Sequence, residues 1–283
     1  LQQYFPAWSC PKPTFRFLPT YDVDLAWAFR YRGWVRQLGG ALRQLSQADL
    51  EGLQLRLAVL RGRQPDPFQT FSLLDALHRR YELEARFFFL LADPGRYDTN
   101  VSARRPALRE LIRQLDRRYR IGIHPSYRSH DRPWLLEREM QRLEHITGKA
   151  IHDSRQHWLR LRLPHTYRRL LAAGIRTDYS MGFADAAGFR AGTAYPFPWY
   201  DLLHESPTAL TITPFQVMDG TLKNYLHLTP EAALLQLQPI IERIRSTGGL
   251  FCTLWHNSSF SPVAGWGGWQ AMYEQLVEQV TGG

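Results

Sequence analysis

Short apolar runs alternate along this chain with longer stretches whose apolar positions recur at helical spacing, and that alternation predicts a β/α protein. The first run, Arg16 to Asp24, reads as a strand, and Arg86 to Leu91 (RFFFLL) as the clearest buried one. Further strands are expected at Arg120 to His124, Lys149 to Ser154, Ile175 to Asp178, Leu210 to Thr213 and Gly249 to Trp255. Between them, Phe68 to Tyr81 sets Phe71, Leu74 and Leu77 on one helical face, and Pro230 to Arg245 does the same with Leu234, Leu237, Ile241 and Ile244. Pro106 to Tyr119 opens on a proline suited to a first helical turn. Leu135 to Ile146 and Leu163 to Ala173 are followed by Gly148 and Gly174, where glycine ends helices. Trp269 to Val280 is a closing helix.

No linker rich in Pro, Gly or Ser divides the chain, and no repeat of fixed period is present, so residues 1–283 read as one domain. Seven or eight β/α units fit that length. A barrel is more economical than an open sheet, because the polar residues of interest repeatedly follow strand C-termini. The Gly-rich stretch Gly182 to Gly192 lacks a phosphate-binding pattern. It reads as a rim loop, with Phe183, Phe189 and Arg190 available to shape a pocket.

Composition narrows the classes. A hydrophobic fraction of 44% with 13% aromatics is ample for a core. No apolar run of about 18 residues exists to span a membrane. No charged-then-apolar secretory signal opens the chain, which starts at Leu1 rather than Met, as if an N-terminal segment had been removed. Cytoplasm and cell envelope both stay open. The net charge is +9, and Lys occurs only at 12, 149 and 223, leaving 32 of the 35 basic residues as Arg. Pairs such as Arg79-Arg80, Arg117-Arg118 and Arg168-Arg169 suit solvated helix faces. Nucleic-acid-binding motifs are absent, whereas an anionic glycan or cell-envelope polysaccharide is a compatible partner. Cys10 and Cys252 are too few for a disulfide framework or a cysteine metal site.

The candidate chemistry lies just past the expected strands. In Thr20-Tyr21-Asp22-Val23-Asp24 the two carboxylates are two residues apart, so in an extended segment they point to one side. Such a pair repels unless a cation sits beside it. His124, with Ser126 beside it, ends another strand; Arg155 and His157 follow the next; Asp178 ends the one after, and His256 the last long one. Strands in these folds bury both faces, so polar groups at five successive strand ends call for a shared site. His78, His145, His165, His204 and His227 sit in polar or helical contexts and read as surface residues.

In that order the motifs resemble the polysaccharide deacetylase family (carbohydrate esterase family four), across Thr20 to Asn257 and in a divergent form. The resemblance implies a distorted (β/α) barrel that removes acetyl groups from an N- or O-acetylated carbohydrate. It implies Asp22 as catalytic base, Asp24 and His124 as metal ligands, and Arg155 steadying the base. It also implies Asp178 orienting His256, the general acid. Zinc is the metal it favours, with cobalt, nickel or iron compatible with Asp and His ligands. The sequence departs from the pattern where the second metal histidine should stand four residues after the first, because that position is Arg128. His157 is the favoured replacement, with His130 and His152 as the other candidates. Ser126, Arg190, Trp199 and Trp255 are candidates for substrate contact, joined by Phe189 and Tyr200 as stacking aromatics. Asp219 is expected to cap a turn rather than line the mouth of the pocket, its other candidate place. Two other readings stay open: a glycoside hydrolase using Asp22 and Asp178, and a carbohydrate-binding barrel inactivated by Arg128.

Overall fold

A computed structural model describes residues 14–282 and Tyr4; Cys10 and Lys12 lie outside the described residues. Among the described residues nine strands form one sheet: β1 (Phe15–Val23), β2 (Arg86–Phe89), β3 (Arg120–Ile123), β4 (Asp153–Ser154), β5 (Thr177–Asp178), β6 (Phe197–Asp201), β7 (Ser206–Ile212), β8 (Val217–Met218) and β9 (Gly249–His256). Their order is β6-β7-β5-β4-β3-β2-β1-β9-β8. Every pairing is parallel except β6 with β7. The sheet curls into a partial barrel whose two edges, β6 and β8, do not pair with each other.

Helices α3 (Phe71–Arg80), α4 (Pro106–Asp116), α5 (Pro133–Thr147), α6 (His165–Ala172), α7 (Pro230–Thr247) and α8 (Trp269–Thr281) follow the expected periodicities. Gly148 closes α5 at φ 75°, a left-handed conformation that favours glycine. The strand expected from Lys149 enters the sheet only at Asp153, because Lys149 and Ala150 are exposed on the way out of α5. Two helices, α1 (Trp34–Ser46) and α2 (Leu50–Leu60), fill the segment after β1 and were not anticipated. Gly39-Gly40 and Gly52 lower the helix propensity there. Strand β6 carries Pro198, which is tolerated because β6 is an edge.

Period-two alternation sorts the central strands into two layers. Tyr21 and Val23 of β1, with Phe251 and Trp255 of β9, join the large core beneath the helices. Leu18, Leu250, Cys252 and Leu254 face the other way, into a smaller core with Phe88, Tyr179 and Phe215. Asp22, Asp24 and His256 share the parity of this inner layer. Gly122 in β3 is forced by packing: a Cβ there would lie 2.5 Å from the Phe88 ring and 2.8 Å from the Asp153 carbonyl. His78 is buried rather than superficial, held between the hydroxyls of Tyr21 at 2.8 Å and Tyr119 at 3.1 Å.

Candidate active site

The parallel ladder builds the site by handing on one rung past each strand. Leu90 N donates to Val23 O, His124 N to Phe89 O, and Arg155 N to Ile123 O. The residues just after β1, β3 and β4 are thereby brought to one level. Across β1 and β9 the register sets Asp22 opposite His256.

Asp24, His124 and His157 each offer one ligand atom, and these atoms lie within 4.8 Å of one another. His124 Nε2 is 3.3 Å from Asp24 Oδ1, and His157 Nε2 is 3.7 Å from Asp24 Oδ2. Both imidazoles are oriented from behind. His124 Nδ1 donates to the Arg155 carbonyl at 2.6 Å and His157 Nδ1 to Asp98 Oδ1 at 3.0 Å. Each Nε2 is left to face Asp24, the arrangement in which histidines present a lone pair to a metal. Asp24 Oδ1 is sealed from solvent and has no hydrogen-bond partner among the described residues. A buried acceptor left unpaired is costly, and a cation would satisfy it. The donor set therefore fits a metal ion.

The electrostatics agree. Burial alone would raise the Asp24 carboxyl, but the facing imidazoles of His124 and His157 outweigh it and hold the group well below the usual range. Burial disfavours charge on His157, yet Asp24 and Asp98 together push it up to about 9.

Asp22 is buried beside this cluster. Arg155 Nη1 donates to its Oδ1 at 3.0 Å, and His124 Nε2 stands 3.7 Å from its Oδ2. Arg155 is wholly buried, with its guanidinium 4.6 Å over the Phe88 ring and Nε donating to the Tyr179 carbonyl at 3.0 Å. On the opposite side, His256 Nε2 is 3.9 Å from Asp24 Oδ2. Burial works against its charge, but Asp219 prevails and pushes it up to about 10.

Several expectations need correction. His256 is held by Asp219, not Asp178: Asp219 Oδ1 accepts from its Nδ1 at 2.9 Å and Oδ2 from its backbone N–H at 2.7 Å. Asp178 is fully buried and accepts from Ser180 Oγ at 2.8 Å and Ser154 Oγ at 3.2 Å. Trp255 cannot reach the site, since its parity on β9 turns it into the outer core against Tyr273, ring centroids 4.6 Å apart. Trp199, on the edge strand β6, packs edge-on to Tyr167 at 5.4 Å. Ser126 is buried and caps the turn Tyr127–His130, accepting from Ser129 N at 3.2 Å. Arg190 donates to the Gly182 carbonyl at 2.9 Å and ties its own loop together. His130 Nδ1 donates to the Arg160 carbonyl at 3.2 Å and His152 Nδ1 to the Gly174 carbonyl at 3.1 Å; neither joins Asp24. Arg128 instead backs the loop after β2, donating to the Asp93 carbonyl at 3.1 Å with Nε 4.0 Å from Asp98.

A cavity of about 340 Å³ opens over these groups, lined by Asp22, Asp24, His124, His157 and His256 together with Gln156, Trp158 and Tyr225. Trp158 is 59% exposed, with φ of 59°, and its indole donates to the Tyr97 carbonyl at 3.3 Å. Sequence reasoning missed Asp98, Trp158 and Tyr225, and it assigned Asp219 to a turn rather than to His256. Only Trp158 carried a signal, as the aromatic directly after His157.

The sequence matches no protein-family model, and no curated protein resembles it significantly. Solved structures do resemble it in fold. A protein described as a polysaccharide deacetylase from Mycobacterium smegmatis superposes with a TM-score of 0.61 at 16% identity, over 97% of this chain and 86% of that one. Another so described, from Pseudomonas aeruginosa PAO1, gives 0.56 at 12% identity over 94% and 85%. A 4-alpha-glucanotransferase from Thermococcus litoralis gives 0.53 at 14% identity, over 96% of this chain and 38% of that one. One barrel thus supports more than one carbohydrate chemistry, so the reaction must be argued from side chains. This chain has the fold of the polysaccharide deacetylases, a distorted β/α barrel.

Proposed function

We propose that this protein is a metal-dependent hydrolase that removes acetyl groups from an N- or O-acetylated carbohydrate. The observation that carries the reading is the convergence of Asp24, His124 and His157, with both Nδ1 atoms engaged and Asp24 Oδ1 unpartnered. Asp24, His124 and His157 would hold the ion. When bound, it would lower the pKa of a water and polarise an acetyl carbonyl.

The protein's own groups divide the proton work. Asp22, fixed by Arg155, would accept a proton from the attacking water. His256 is cationic at neutral pH beside Asp219, so it would deliver a proton to the departing amine or alcohol. A base and an acid set apart by their surroundings form the expected pair. Trp158 and Tyr225 offer exposed rings on which a sugar could stack.

The test is acetate release from acetylated sugar oligomers by zinc-loaded protein, lost on chelation and restored by zinc. Reducing ends without acetate would instead favour a glycosidase. Zinc retention with neither product would favour a binding barrel. His157→Ala is expected to weaken zinc binding and His130→Ala to leave it unchanged, as read by calorimetry. Because His157 must lose its proton to ligate, zinc affinity should climb with pH up to about 9. The slope should be roughly tenfold per pH unit. A flat profile between neutrality and that limit would remove His157 from the ligand set.

Asp219→Asn should move the alkaline limb of the pH–rate profile down by roughly two units, as His256 returns toward its ordinary value. Asp178→Asn should leave that limb in place. The reverse result would restore Asp178 as the partner of His256.

A further inference from the structure

Helix α1 is inside out. Its inward side carries Gln37, Gly40, Ala41 and Gln44, and Arg56 of α2 donates to Gln44 at 2.6 Å and to Gln37 at 2.9 Å. Gln37 also donates to the Phe29 carbonyl. The outward side carries Trp34, Val35, Leu38, Leu42 and Leu45, each more than half exposed. At 3.6 residues per turn these five fall within a stripe of roughly 100°. No residue of α1 is buried. On an ordinary surface helix the apolar stripe faces the core, whereas none of the described residues covers this one.

The charge around it indicates which cover. Residues 25–70 contain seven Arg, no Lys and three acids, Asp49, Glu51 and Asp66. Asp66 is spent internally, accepting from the backbone N–H groups of Ala28, Phe29 and Arg30. Beside Trp34 lies a recess of about 360 Å³ lined by Arg32, Arg36 and Arg105 and by no carboxylate. Arg32 Nη1 donates to the Ala28 carbonyl at 2.9 Å, and its Nε is sealed from solvent with no hydrogen-bond partner among the described residues. A second copy docked on this face would bring arginines against arginines, whereas phosphate-bearing lipid complements them.

We propose that α1 seats this protein on an anionic lipid surface. Trp34, Val35, Leu38, Leu42 and Leu45 would enter the boundary between headgroups and acyl chains, and Arg32, Arg36 and Arg105 would take lipid phosphates. The inference stands apart from the deacetylase reading, since it uses none of the cavity residues.

The full chain should co-sediment with vesicles of phosphatidylcholine mixed with phosphatidylglycerol, and not with phosphatidylcholine alone. High salt should weaken retention. Leu38→Gln combined with Leu42→Gln should cut partitioning by about a hundredfold. Both positions face solvent, so the thermal midpoint and zinc retention should be unchanged, which separates lost docking from misfolding. Arg36→Gln with Arg105→Gln should flatten the salt dependence. Absence of binding to the anionic vesicles, equal binding to neutral ones, or wild-type partitioning by the leucine variant would overturn the proposal. A dimer in sedimentation equilibrium that the leucine variant abolishes, with no vesicle binding, would assign the face to a second copy instead.

Discussion

Asp22→Asn is expected to lower turnover on an acetylated oligosaccharide by about a thousandfold, with zinc still bound. The carboxylate accepts from Arg155 and lies close to the proposed ligands Asp24, His124 and His157 without being one of them, so its loss would remove a proton acceptor and not a ligand. An amide keeps the shape and one acceptor oxygen but cannot take the proton. Metal content by elemental analysis and single-turnover acetate release read the two effects separately. Loss of zinc with the rate would exchange the roles of Asp22 and Asp24. An unchanged rate would remove Asp22 from the chemistry altogether.

Arg155→Leu is the second large effect, and it falls on stability. The guanidinium is fully buried among Phe88, Tyr179 and Phe215, and it is paired with a buried carboxylate. Removing one partner of such a pair leaves the other charged and unsolvated, which costs about 3–5 kcal/mol. The thermal midpoint should fall by roughly 5–8 °C. Asp22→Asn combined with Arg155→Leu should recover part of that loss, because no charge is then stranded. A single variant as stable as wild type would mean that water reaches Asp22 and the pair is not sealed.

What the chain's pattern reveals depends on whether a residue's role follows from its own segment. Asp22 and Asp24 announce themselves through spacing in one strand, and His124 through the run Ile121-Gly122-Ile123 before it. Parity could have gone further. If His256 faces the inner layer, its neighbour Trp255 must face the outer one, so stacking on substrate was already excluded. Asp219 follows a strand of two residues, too short for any periodicity, and its pairing with His256 exists only once β8 lies against β9. Asp98 lies in an irregular loop, and its value comes from standing behind a histidine 59 residues away. The α1 stripe has good helical spacing, but spacing says which residues share a face and not whether that face looks in or out.

The staircase of strand ends has a dynamic consequence. The amides of Leu90, His124 and Arg155 make rungs just past the ends of their strands, where sheets ordinarily breathe first. An ion gripped by Asp24, His124 and His157 would lace these tips into a ring and slow their exchange with deuterium. Stripping it would speed exchange at those three amides, while the middle of β1 and β9 kept its protection, so the same cation that serves chemistry would also rivet the mouth of the barrel.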